Sequence, residues 1–220
     1  MVIEHTYQGF KFYFHKTPTA PALIKEIFND NYKVLEKGLV FRDGDVILDI
    51  GANEGMFSIM MAKLFPHTRV IALEPVPRTF YQMIRNIGLN GLNITALNIG
   101  VGSERGIQNL IVSKQFSGGS TGFCTFDPET QIKAEVDIYT LDDIFSVAGI
   151  ERVRLLKMDI EGGEHETLYP CTVLGRVDYM VGEFHINKML SSKGYSIDGL
   201  AKWVSERTEL VHYESCYMAE

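Results

Sequence analysis

Four short runs constrain the fold more than any other feature: DVILDI (45–50), RVIAL (69–73), VRLLKM (153–158) and VDYMVGEF (177–184). Each is mainly aliphatic, without the strict alternation of a strand that has one wet face. Strands of this kind are buried on both sides. The stretches between them are helical: Met56–Phe65 is apolar nearly all round, and Pro77 opens a helix with Phe80, Met83, Ile84 and Ile87 on one face. NITALNI (93–99) reads as a third strand in chain order, Leu141–Val147 and Glu164–Leu174 as helices, Ile197–Arg207 as an amphipathic helix, and Leu210–Tyr217 as a last strand. Buried strands joined by helices imply an α/β fold, a mostly parallel sheet with helices on both faces.

Two segments have a different texture. TYQGFKFYFH (6–15) alternates like a strand or hairpin, and residues 20–37 read as a helix carrying Leu23, Ile24, Ile27, Phe28 and Leu35. Residues 1–40 are therefore expected to form an N-terminal cap that covers the core, ahead of a main unit over 41–220, in one globular domain. Between 105 and 139, GIQNLIVS, GFCTF and AEVDIYT flank SGGSTG as in a small antiparallel insertion. Its loop, 117–123, is either a plain hairpin turn or a lid over an acceptor.

Composition narrows the partners. The chain of 220 residues carries a net charge of −7 and shows no basic stripe, so a nucleic-acid backbone is not an expected partner. No apolar run is long enough to span a bilayer, and no secretory signal is visible at the N-terminus. Cys124, Cys171 and Cys216 form no CxxC pair, which suggests reduced thiols and a cytoplasmic location.

Ligands of such sheets bind beyond the carboxyl ends of the strands. The first strand runs into Asp49-Ile-Gly51-Ala52-Asn53-Glu54-Gly55. This turn lacks the GxGxxG spacing of dinucleotide binders and the GK[ST] of a phosphate loop. Asp49 and Glu54 flank it and would repel a pyrophosphate, whereas a ligand with ammonium and sulfonium charges would be attracted. The second strand ends at Glu74, beside Pro75 and 23 residues after Gly51. A carboxylate at that spacing accepts ribose hydroxyls. Together these features point to S-adenosylmethionine.

At the fourth and fifth strand ends, LLKMDIEGGEHETL (155–168) and VGEFH (181–185) bring Asp159, Glu161, Glu183 and His185 towards one cleft. Glu183 and His185 are two apart, so they point to the same side of an extended chain. The group supports two chemistries. A carboxylate or His185 takes the proton of an acceptor hydroxyl, or oxygen ligands hold Mg²⁺ or another divalent cation that activates the hydroxyl. The metal-free route is preferred here. Glu164 and Glu166 read as carboxylates supporting a helix start, and His165 as packing or surface.

DVILDIGANEGMFSI, IALEP, TLDDI, LLKMDIEGGEHETL and VGEFH follow one another as in the FkbM-type methyltransferase family, which the chain resembles over roughly residues 25–190. The resemblance implies a class I methyltransferase (Rossmann-like), doubly wound fold with a last antiparallel strand. A single strand after Arg207 suggests a shortened closing hairpin. By resemblance, Asp49, Gly51, Ala52, Asn53 and Gly55 form the methionine-side loop. Glu74 and Pro75 then lie at the ribose, and Gly100 and Val101 at the adenine edge. The activity implied is O-methylation of a small molecule such as a sugar or polyketide. N-methylation, RNA methylation or a catalytically silent scaffold are the alternatives. A homodimer is compatible with the sequence.

Overall fold

The computed structural model describes residues 1–115, 122 and 127–218. The 117–123 loop, apart from Gly122, and most of GFCTF lie outside the described residues.

Strands β1 (Val2–Tyr7) and β2 (Phe10–His15) form an antiparallel hairpin. Gln8 and Gly9 turn it with φ of 48° and 81°, the left-handed pair that matches strand twist. Helix α1 (Ala20–Asp30) follows, with Phe28 against the rings of Phe12 and Phe14. The helix is shorter than the 20–37 expected. Tyr32 and Lys33 take φ of 49° and 57°, which ends it in a single 3₁₀ turn and leaves Leu35 beyond it.

The main unit then alternates. In chain order it contains β3 (Val46–Ile50), α2 (Met56–Leu64), β4 (Arg69–Leu73), α3 (Pro77–Asn90), β5 (Thr95–Leu97) and β6 (Gly100–Val101). Next come β7 (Gly106–Ser113), β8 (Gln131–Tyr139), α4 (Leu141–Val147), β9 (Val153–Met158) and α5 (Glu164–Leu168). The chain closes with β10 (Val177–Ile186), α6 (Lys188–Ser192), α7 (Ile197–Ser205) and β11 (Glu209–Tyr217).

The large sheet has the order β5-β4-β3-β9-β10-β11, and every neighbouring pair is parallel. β7 and β8 form the antiparallel insertion, with β6 alongside β8. The antiparallel last strand implied by resemblance is not what the structure shows. β11 runs parallel to β10, because α6 and α7 carry the chain back across the sheet before β11 begins. Two further expectations are corrected. α5 stops at Leu168 because Pro170 cannot continue a helix, and β10 runs two residues past Phe184.

Alternate residues of each strand feed two cores. Leu48, Ile71 and Leu156 pack towards α4 and α7, while Ile47, Val70 and Leu155 pack towards α1, α2 and the hairpin. The inner face of α3 is Thr79, Met83, Asn86 and Ile87, with Ile84 41% exposed. Asn86 takes the inward place because its amide donates to the Glu54 carbonyl and accepts from the His15 N–H. The strand order reverses between β3 and β9, which places the site.

Candidate active site

The turn after β3 needs left-handed backbone at Gly51, Asn53 and Gly55. A Cβ on Gly51 would lie 1.8 Å from the Asp159 carbonyl oxygen, so glycine alone lets the ends of β3 and β9 meet. Asp49 neither caps α2 nor faces a ligand. It is fully buried, its Oδ2 accepts from Ser58 Oγ at 2.6 Å, and its Oδ1 lies 3.4 Å from Lys157 Nζ. Glu54 also turns inward. At 2% exposure, its carboxylate accepts from the hydroxyls of Thr17 and Thr19 at 2.7 and 2.6 Å. The negative charge expected of this turn is therefore engaged elsewhere.

The charge at the pocket comes from other residues. A pocket of about 360 Å³ opens at the strand ends between the main sheet and the insertion. Gly51, Asn53, Glu74, Pro75, Gly100 and Val101 line it, as expected, whereas Asp49, Ala52 and Gly55 do not. Gln108, Leu110 and Ile138 form the wall contributed by the insertion, a role the sequence did not reveal. Among the described residues that line it there is no lysine, arginine or histidine, but there are Glu74, Asp159, Glu161 and Glu166. That balance disfavours a pyrophosphate and favours a cation.

Glu74 is buried at the end of β4. Its oxygens accept the backbone N–H groups of Asn53 and Val76 at 3.0 and 2.9 Å. Burial pushes its carboxyl up to about 7, against the pull of those two donors. Asn53 holds a buried Oδ1 with no hydrogen-bond partner among the described residues. An orphaned acceptor beside a pocket fits the ammonium end of an amino-acid ligand.

At the far end the acidic residues separate into two tiers. Asp159 and Glu161 line the pocket, with Glu161 held at φ 55°. Glu183 and His185 stand behind them on β10, reached through Glu161: His185 Nε2 lies 3.4 Å from Glu161 and 3.7 Å from Glu183. Glu183 also accepts from Cys216 Sγ at 3.1 Å. Burial and the neighbouring Asp159 raise the Glu183 carboxyl.

Glu164 does more than support the start of α5. It is fully buried and accepts from His185 Nδ1 at 2.9 Å and from the N–H groups of Ile160 and Gly162. Burial alone would lower the His185 imidazole; Glu164 above all, then Asp159 and Glu161, lift it to about 9. These carboxylates favour the protonated imidazole of His185. Glu166 does behave as a partly exposed charge, paired with Lys193 at 2.5 Å. His165 is packing: it is buried, stacked on Tyr195, with Nε2 3.1 Å from the Ser196 carbonyl.

Ligand atoms of Asp159, Glu161 and His185 lie within 4.8 Å of one another, as do those of Glu183, His185 and Cys216. Either set has donors for a cation, though both draw on one imidazole. Lys157, buried inside β9 opposite Asp49, was missed in the sequence. The signal was available: a lysine inside a buried strand needs a partner. No helix among the described residues is long and apolar enough to cross a membrane.

Comparison with known proteins places this geometry. A family model described as the methyltransferase FkbM domain matches residues 49–197. "Methyltransferase 1" of Beauveria bassiana is 33% identical over 164 residues, covering 66% of this chain and 64% of its own. The "31-O-demethyl-FK506 methyltransferase FkbM" of Streptomyces tacrolimicus is 27% identical, covering 68% of this chain and 67% of its own. The match thus spans about two thirds of the length of these relatives. Among solved structures, a precorrin-6y C5,15-methyltransferase from Geobacter metallireducens matches 79% of this chain and 67% of its own, at 19% identity and a TM-score of 0.43.

Proposed function

From the chain's membership of the FkbM methyltransferase domain family, we propose that it is an S-adenosylmethionine-dependent methyltransferase that methylates a hydroxyl group of a small molecule in the cytoplasm. The observation that carries this reading is Asp159 at the reaction end of the pocket. Its Oδ1 is buried and has no hydrogen-bond partner among the described residues. Such an oxygen is suited to receive a hydroxyl proton. A relative named for an O-demethyl substrate supports oxygen as the acceptor atom.

When bound, the cofactor would supply a methyl group on a sulfonium, which would leave sulfur with the bonding pair as the acceptor oxygen takes the methyl. The chain's own residues do the rest. Glu74 accepts the ribose hydroxyls, and Gly100 and Val101 give the adenine edge a flat wall. Asn53 Oδ1 takes the ammonium. Asp159 Oδ1 removes the hydroxyl proton and Glu161 flanks it. His185, held protonated by Glu164, is not the base. It balances Glu161 and Glu183 and fixes where they stand. The same carboxylates and imidazole could also hold a divalent cation, which would lower the pKa of the acceptor hydroxyl; the metal-free route is the one adopted in this reading.

The test is product analysis. Incubating the protein with methyl-labelled cofactor and a panel of hydroxylated sugars and polyketides should yield a methoxy product. N-methyl or RNA-bound label would replace this reading. Cofactor binding without turnover across the panel and in cell extract would favour a silent scaffold.

A further inference from the structure

Tyr32 lies outside the span matched by the family model, yet its side chain reaches the reaction end of the site. It is 5% exposed, its ring meets Phe57 edge-on, and its hydroxyl donates to Asp159 Oδ2 at 3.4 Å. On the same oxygen, Lys157 Nζ closes to 3.7 Å. Lys157 also donates to the Gly51 carbonyl at 2.8 Å and sits 5.6 Å from the centre of the Tyr32 ring. The backbone of Tyr32 holds the left-handed φ of 49° that ends α1, a conformation costly for a bulky residue.

The Tyr32 hydroxyl and the Lys157 ammonium thus converge on one oxygen of Asp159, while the other oxygen is buried with no hydrogen-bond partner among the described residues. If Lys157 served only to neutralise Asp49, it would need no contact with the cofactor turn or with Asp159. Its ammonium instead joins all three. A carboxylate fixed through one oxygen presents the other at a set angle, and alignment of that kind is a large part of a methyl transfer.

We propose that Tyr32 and Lys157 are positioning residues for the reaction: they clamp Asp159 Oδ2, so that Oδ1 faces the acceptor hydroxyl, and Lys157 ties the cofactor turn to the same carboxylate. This rests on Asp159 being the proton acceptor proposed above. The N-terminal segment then supports the reaction end of the site through Asp159, and is not only a cover for the core.

Tyr32→Phe tests the idea cleanly, because the ring and its packing stay and only the hydroxyl goes. The expected result is a fall in kcat of about ten-fold, the size set by one hydrogen bond to a charged group. KM for the cofactor and Tm should remain as in the unmodified protein. In an Asp159→Asn background the same change should cost nothing further, since its effect runs through Asp159. Lys157→Met together with Asp49→Asn removes both members of the buried pair, so no lone charge is left inside. This variant should lose cofactor affinity and kcat together.

The outcomes separate cleanly. An unchanged kcat in Tyr32→Phe, with Asp159→Asn inactive, overturns the clamp. So does a loss that adds fully to that of Asp159→Asn, or a lowered Tm with normal kcat. A fully active Asp159→Asn overturns the underlying choice of base instead.

Discussion

Glu164 and His185, 21 residues apart in the chain and both buried, meet at 2.9 Å across the ends of α5 and β10. The contact makes His185 a group whose proton is bound more tightly in the folded protein, with its pKa lifted to about 9 from 6.5. Stability from this site is fully present below 6.5 and is lost as the pH rises through 9. Between pH 7 and 9 the unmodified protein should lose roughly 2–3 kcal/mol through this group. His185→Gln should start less stable and show a flatter profile in urea titrations. Parallel profiles for the two proteins would remove His185 from the account.

Asp159→Asn preserves shape but cannot take a proton. Its kcat should fall by about 10²–10⁴-fold, the usual loss for a positioned acid–base group. Circular dichroism should show an unchanged fold. His185→Gln should lose less, because the imidazolium orders carboxylates and takes no proton. A His185→Gln defect equal to that of Asp159→Asn would move the base to the histidine.

Glu74 gives cofactor binding a pH dependence of defined sign. If the carboxylate accepts the ribose hydroxyls as proposed, binding needs the charged form, whereas burial pushes the Glu74 carboxyl up to about 7. Binding therefore releases a proton, and affinity should tighten by up to about ten-fold per unit as the pH rises towards 7, then level off. Calorimetry of the demethylated cofactor should show this slope, and Glu74→Gln should lack it. Glu74→Ala should weaken binding by about 1–3 kcal/mol. Unchanged affinity in that variant would take Glu74 out of the ribose site.

Chelation bears on the two ligand sets around His185. If Asp159 takes the hydroxyl proton without a metal, as proposed, activity should survive exhaustive EDTA treatment. Loss of activity that Mg²⁺ or Mn²⁺ restores would make these carboxylates metal ligands.

Glu166 provides a contrast within the same acidic stretch. Its pairing with Lys193 is partly exposed, and surface pairs contribute only about 0–1 kcal/mol. Glu166→Gln should keep kcat within a few-fold of the unmodified protein in the same assay. A hundred-fold loss would place Glu166 among the residues that touch the acceptor.

The alternation of buried strands and helices was legible because it is a local property: each run shows its own period and its own breakers. Pocket residues Gly51, Asn53, Glu74 and Gly100 were legible too, since strand ends are where such sheets bind. What the sequence concealed is the direction in which each charge points. Asp49 and Glu54 flank the turn, but Ser58, Lys157, Thr17 and Thr19 decide that both face inward. Glu164 sits in a first helical turn like Glu166, and only His185 on a neighbouring strand makes it a buried partner. The parallel course of β11 was hidden for a related reason. A strand's direction depends on the path of the crossover before it, not on its own residues.

The bonds from Thr17 and Thr19 to Glu54 set the limits of modularity in this chain. The span matched by the family model begins at residue 49, but cutting there would strip a buried carboxylate of its hydroxyl donors and bare the face of α2 that Phe12 and Phe28 help to cover. The span that the family model matches is thus smaller than the unit these contacts hold together. A chimera that exchanges residues 1–40 between relatives would therefore exchange the hydroxyl donors of Glu54 as well, so that stretch cannot be swapped without touching the turn after β3.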